Sequence, residues 1–165
     1  MAGCKEDNPA DEVSASVALV DASGKDVGTA QLTENDQGIV TLTVKANGLP
    51  AGTHGIHFHE VGIADPQASP PFSTAGEHYN PAAKQHGLNN PNGVHAGDLP
   101  NLQVGDQGTG TLTTTTDRIT LKAGPATAFD ANGTALIIHA NADDQVTDPS
   151  GNSGGRIAGG VVKPD

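Results

Sequence analysis

The residues that most constrain this fold are spaced by two. Val13, Ala15, Val17 and Leu19 alternate with Ser14, Ser16 and Ala18, while Val40, Leu42 and Val44 alternate with Thr41 and Thr43. An extended chain sends every second side chain to the same face, so such runs describe strands with one face buried. Asp21-Ala22-Ser23-Gly24 and Asn35-Asp36-Gln37-Gly38 read as turns, with a strand from Val27 to Thr33 between them. Further strands are expected over Gly55 to Val61, Leu102 to Val104, Thr109 to Thr115, Ala135 to Ala140 and Arg156 to Val162. No segment carries a capped helical stripe. The pattern predicts an all-β antiparallel sandwich or barrel.

A chain of 165 residues suits one domain with one core. Aromatic residues are 2% and Trp is absent, so that core must come from Val, Ile, Leu and Ala. Lys plus Arg is 8 against 19 Asp plus Glu, a net charge of −11. Nucleic acid and anionic membrane surfaces both demand basic patches, so neither is expected as a partner. No apolar run approaches the roughly 18 residues of a spanning helix. Ala2-Gly3-Cys4 resembles the end of a bacterial lipoprotein signal, in which the cysteine is lipidated. The expectation is a tether over residues 1–11, a domain over 12–165, and export to the cell envelope or periplasm. The membrane would be met only through a lipid on Cys4. Cys4 is the only cysteine, which excludes an intramolecular disulfide.

Histidine carries the chemistry: all seven lie between His54 and His139. His57 and His59 sit at i and i+2 of an expected strand, so both rings leave one face. Alone, such a pair describes a wet face, and His139 in Leu136-Ile137-Ile138-His139 reads alone as a structural residue. The 39-residue stretch from Gly62 to Pro100 is rich in Pro, Gly and Asn, has little strand pattern, and is long for a connection in a compact domain. It supplies His78, His86, His95 and Asp98, spaced by 8, 9 and 3 residues. Three imidazoles and a carboxylate match a closed tetrahedral zinc site, which would also order a polar loop without a core. Imidazole is equally a preferred ligand of copper.

Four motifs then carry a specific resemblance. His54-Gly55-Ile56-His57-Phe58-His59-Glu60, Ala75-Gly76-Glu77-His78-Tyr79-Asn80-Pro81, His95-Ala96-Gly97-Asp98-Leu99 and His139-Ala140-Asn141-Ala142-Asp143-Asp144 resemble copper,zinc superoxide dismutase. The run Gly151 to Val161 resembles the same family's C-terminal signature, and the match extends in order from about Val13 to Val162. The resemblance implies an eight-stranded Greek-key β-barrel, an immunoglobulin-like sandwich with two long functional loops. It implies copper on His57, His59, His78 and His139, and zinc on His78, His86, His95 and Asp98, with His78 shared. Asp143 would orient a copper histidine and a zinc histidine. Arg156 would receive the superoxide anion, and His54 would hydrogen-bond within the fold. The implied activity is dismutation of superoxide to oxygen and hydrogen peroxide at a redox-cycling copper bridged through His78 to a structural zinc. A copper-binding or copper-buffering protein of the same fold is the alternative.

The pattern departs from the family in two places. The segment Asp144 to Gly155 matches the family's electrostatic loop yet carries Asp148 and no lysine, so weaker steering of the anion is expected. Lys84, in the loop of the zinc ligands, is a second possible source of positive charge. Phe72 and Gly159 stand where the resemblance implies a disulfide clamp, whose loss typically costs roughly 2–5 kcal/mol. Pro66, Pro70 and Pro71 stiffen the segment before Phe72, and Phe72 is expected to replace the link by packing. The family's dimer contacts involve that segment, which leaves monomer and homodimer both open.

Overall fold

A computed structural model describes residues 12–165; Cys4 and the expected tether lie outside them. Its strands are β1 (Val13–Asp21), β2 (Asp26–Glu34), β3 (Val40–Ala46), β4 (Gly52–His54), β5 (Ile56–His59), β6 (Leu102–Val104), β7 (Gly110–Thr116), β8 (Ala135–His139), β9 (Arg156–Val161) and β10 (Lys163–Pro164). The main sheet runs β5-β8-β9-β1-β2-β3-β7, with β10 pairing to β1, and β4 pairs with β6. All of these pairings are antiparallel. A hairpin closed by Gly105 N–H on the Thr109 carbonyl at 2.9 Å joins β6 to β7, and β4 runs into β5 across Gly55. These two covalent links bring the ends of the sheet together, so the sheet is curled, consistent with a Greek-key barrel.

The expected strand from Gly55 to Val61 is shorter and preceded by a separate piece. Gly55 leaves the ladder because its N–H donates to the Asn141 carbonyl while its own carbonyl accepts from His139 N–H, both at 2.8 Å. Glu60 and Val61 fall outside β5 because their N–H groups donate to Glu77 and Ala75 in the long loop.

Alternation sets the core. Ala15, Val17 and Leu19 of β1, Ala30 and Leu32 of β2, and Val40, Leu42 and Val44 of β3 pack with Ile56, Phe58, Leu136, Ile138 and Ala158. Strand β8 is buried on both faces. Leu136 and Ile138 join that core, whereas Ala135 and Ile137 meet Phe72 and Ala75 on the outer face. Across the ladder His57 lies opposite Ile137 and His59 opposite Ala135. His139 shares their parity, so three imidazoles leave the outer face together.

The loop from 62 to 100 covers that face by zipping onto the free edge of β5. Phe58 N–H donates to the Gly97 carbonyl at 2.9 Å and Tyr79 N–H to the Phe58 carbonyl at 2.8 Å. Single bridges form between His57 and Asp98 and between His59 and His78. Residues far apart in sequence are thereby stacked beside the two strand histidines.

Candidate metal centre

His57 and His59 are buried, at 0% and 1% exposure, so the wet face that two alternating histidines describe on their own is overturned by the loop that covers it. Four bare nitrogens converge there. His57 Nε2 lies 2.6 Å from Asp143 Oδ2. An ionised carboxylate only accepts, so the proton sits on Nε2 and leaves Nδ1 bare. Likewise His59 Nδ1 donates to the Gly76 carbonyl at 2.9 Å and His139 Nδ1 to the Gly154 carbonyl at 3.3 Å, which leaves both Nε2 atoms bare. Those two Nε2 atoms stand 3.3 Å apart, two lone pairs facing one another. His57 Nδ1 and His78 Nε2 are buried without any partner among the described residues. Ligand atoms of His57, His59, His78 and His139 all lie within 4.8 Å of one another. Burial holds these imidazoles neutral: His57 is lowered to about 4, His139 to about 2, and His59 and His78 are lowered as well. Buried lone pairs aimed at a common point fit a cation that takes imidazole.

The second nest adjoins the first. Asp98 Oδ1 lies 2.8 Å from His86 Nδ1, 3.2 Å from His78 Nδ1 and 3.3 Å from His95 Nδ1, and His78 Nδ1 lies 3.2 Å from His95 Nδ1. Four tetrahedral donors at about 2.0 Å from zinc would stand about 3.3 Å apart, close to these four separations. The other oxygen, Asp98 Oδ2, accepts from Gly87 N–H at 2.9 Å and His95 N–H at 3.0 Å, which fixes the carboxylate. His57 also lies within 4.8 Å of His78, His86 and Asp98. His95 adjoins the same group through its Nδ1, beside Asp98 Oδ1 and His78 Nδ1. Burial raises the Asp98 carboxyl, but hydrogen bonds from three histidines reverse this and hold it well below the usual range.

Asp143 ties the nests together. Its Oδ2 accepts from His57 Nε2 and its Oδ1 lies 2.9 Å from His86 Nε2. His86 thus has a carboxylate at each ring nitrogen. Burial lowers it, yet the bonds to Asp143 and Asp98 prevail and push it up to about 9. Asn101 clamps the backbone of Asp143 through two 2.9 Å bonds, Nδ2–H to the carbonyl and N–H to Oδ1. Gly151 (φ +65°) passes so close that a Cβ would stand 1.8 Å from Asp143 Oδ1.

Arg156 is half-buried at the rim, donating from Nη1 to the Phe72 carbonyl at 2.8 Å and from Nη2 to the Gly76 carbonyl at 2.6 Å. Lys84 lines a cleft over His78 and His95 together with Glu60, Glu77 and Asp148. One lysine stands against three acids in this cleft. His54 bridges the Pro50 and His139 carbonyls at 2.7 and 2.8 Å, a contact within the fold. Every site residue expected from the sequence is gathered here. Asn101, Gln145 and the Gly76 carbonyl escaped that reading. Gln145 Nε2 donates to the Leu99 carbonyl at 3.0 Å, linking the two loops. A backbone carbonyl and two amide side chains carry no motif, so no sequence signal marks them.

A family model for copper/zinc superoxide dismutase matches residues 27–162. The chain belongs to the copper/zinc superoxide dismutase family. It is 40% identical over 156 residues to the Cu-Zn superoxide dismutase 1 of Aquifex aeolicus, covering 93% of this chain and 90% of that protein. It is 38% identical over 153 residues to the Cu-Zn superoxide dismutase of Caulobacter vibrioides, covering 91% and 86%. A double mutant of a SOD-like protein from Bacillus subtilis, bearing two introduced histidines, superposes with a TM-score of 0.82 at 43% identity over 88% of this chain and 95% of that one. The family therefore includes proteins named as dismutases and a protein named only as dismutase-like, which makes the completeness of the nests in this chain informative.

Proposed function

We propose that the two nests form one binuclear centre, with copper held by His57, His59, His78 and His139 and zinc by His78, His86, His95 and Asp98. The chain dismutes superoxide to oxygen and hydrogen peroxide, with copper and zinc as its cofactors. Copper, when bound, supplies the one-electron couple this reaction needs, and zinc, which has no redox chemistry, supplies a fixed charge. The observation that carries the assignment is the set of bare, buried nitrogens, His57 Nδ1 and His78 Nε2 above all.

The chain's own residues divide the work. His78 belongs to one nest through Nδ1 and to the other through Nε2, so Nε2 is the atom at which a proton is taken up and released beside the reacting anion. Asp143 orients His57 and His86 together, which keeps both nests in register. Arg156 has two of its N–H groups committed to carbonyls and others free, which orients a fixed cation toward an anion at the rim. The loop from 62 to 100 excludes water from all but the rim.

The test is superoxide decay followed by pulse radiolysis, on protein loaded with both metals and on protein loaded with zinc alone. Rapid catalytic decay only with copper is expected. Slow decay at full copper occupancy would favour a copper-binding role instead, a reading with less support because no member of either nest is missing. Ala2-Gly3-Cys4 supports a further proposal, that a lipid on Cys4 anchors the domain in the cell envelope or periplasm. Metabolic labelling with a fatty acid that is lost in Cys4→Ser is the expected result.

A further inference from the structure

Phe72 is a bulky residue in a left-handed backbone conformation, φ 59° and ψ 12°, and it is 0% exposed. Such a conformation is costly for a residue with a Cβ and persists only where the surroundings impose it. Its side chain packs with Ala75, Ala135 and Ile137. Gly159, on β9, gives the ring its place. A Cβ there would stand 3.2 Å from Phe72 Cδ1 and 2.6 Å from Ile137 Cδ1, so the aromatic ring occupies a notch that exists because residue 159 has no side chain.

The backbone on either side of this peg faces the metal centre. The Phe72 carbonyl accepts from Arg156 Nη1 at 2.8 Å. After one turn, Ser73–Ala75, the Gly76 carbonyl accepts from Arg156 Nη2 at 2.6 Å and from His59 Nδ1 at 2.9 Å. Phe72 N–H donates to the Asp65 carbonyl at 2.9 Å, which ties the turn to the loop before it. Both oxygens that aim the guanidinium thus hang on a segment whose single large buried side chain is Phe72.

We propose that Phe72 is the positioning residue for Arg156: its ring, seated in the notch at Gly159, holds the carbonyls of residues 72 and 76 where they aim the guanidinium at the incoming anion. This rests on the reading of Arg156 as the anion's receptor, and the experiment separates the two. Copper- and zinc-loaded protein is titrated with azide, a small anion followed through the copper absorbance, in the parent, Phe72→Ala, Arg156→Gln and the double variant.

The expected result is that Phe72→Ala weakens azide binding about tenfold, the scale of one charge-assisted hydrogen bond lost. In the Arg156→Gln background the same substitution should change azide affinity by less than about twofold, because contacts acting through one residue are not additive. Its effect on melting temperature should be the same in both backgrounds, which a merely structural peg would also show. A merely structural peg would leave azide affinity at the parental value, and that result overturns the proposal. An equal loss of affinity in both backgrounds overturns it too. If Arg156→Gln alone binds azide as the parent does, the reading of Arg156 is what fails. Should Phe72→Ala not fold, Phe72→Leu carries the test: it keeps an apolar peg of lesser size, and a smaller weakening confined to the Arg156 background is expected, with parental affinity contradicting the proposal.

Discussion

The two nests share His78 and are built on opposite electrostatic principles. In one, four imidazoles meet with no carboxylate among them, and burial drives His57 down to about 4 and His139 to about 2. In the other, Asp98 sits among three imidazoles and, with Asp143, brackets His86, which is pushed up to about 9. The first is neutral, touched by a carboxylate only where Asp143 meets the far nitrogen of His57; the second is already ion-paired. Lone pairs that have no protein partner, as in the first nest, suit a cation exchanging electrons with a small anion at the rim. A carboxylate locked by two backbone N–H groups, as in the second, suits an ion that stays put.

Removing a ligand from one nest should have the largest effect. His139→Ala takes a nitrogen from the imidazole nest alone. Superoxide decay should fall by roughly a hundredfold or more, since even partners beyond the ligands carry up to that factor, while zinc stays at one per chain by elemental analysis. Loss of zinc alongside copper would show that the nests are not separable. Asp98→Ala strikes the other side. It should abolish zinc binding and lower the melting temperature by roughly 5–10 °C, the loss of a ligand that stabilises the fold by about 2.7 kcal/mol at a hundredfold excess over its dissociation constant. Intact zinc stoichiometry in this variant would contradict the assignment of Asp98.

Protons sharpen the contrast further. With a carboxylate at each nitrogen, His86 carries two protons in the metal-free chain near neutral pH, and zinc must displace the one on Nδ1. About one proton should therefore be released per zinc at pH 7.5, read by calorimetry in buffers of different ionisation enthalpy. The linkage to stability has opposite signs in the two nests. His86, raised from 6.5 to about 9, contributes stability to the metal-free fold that is fully present below 6.5 and lost as pH rises through about 9. His57, lowered to about 4, costs stability as pH falls from 6.5 toward 4, because the unfolded chain takes up a proton that the folded one refuses. Denaturant melts of metal-free protein across pH 4 to 10 should show both flanks. The smallest effect concerns the mouth. Glu77→Gln removes one of three acids from the cleft beside Lys84 and should raise the rate of anion capture about twofold at low salt, vanishing at high salt.

Much of this was legible in the sequence because the fold is written at period two. Val40, Leu42 and Val44 announce their strand, and the strand parity of His57 and His59 correctly placed both rings on one face. The sequence did not show that this face is covered. That outcome depends on hydrogen bonds from Tyr79 and to Gly97, which bring a loop onto the free edge of β5, and backbone pairing leaves no residue signature. The ligand motifs identified the histidines, but the tautomers that bare His59 Nε2 and His139 Nε2 are set by the carbonyls of Gly76 and Gly154, which glycine cannot advertise. The sequence leads one to expect that Phe72 replaces a covalent link by packing. Its left-handed backbone and its carbonyl on Arg156 could only be seen in three dimensions.

In the proposed centre His78 belongs to both nests at once. The most direct test places cobalt(II), paramagnetic and tetrahedral, in the carboxylate nest and copper(II) in the imidazole nest, and records the copper EPR signal. A ring shared through Nδ1 and Nε2 couples the two ions, so the copper signal should be strongly diminished relative to protein carrying zinc in place of cobalt. A full-intensity copper signal with both ions bound would mean that the nests stand apart, and the account of a single binuclear centre would be wrong.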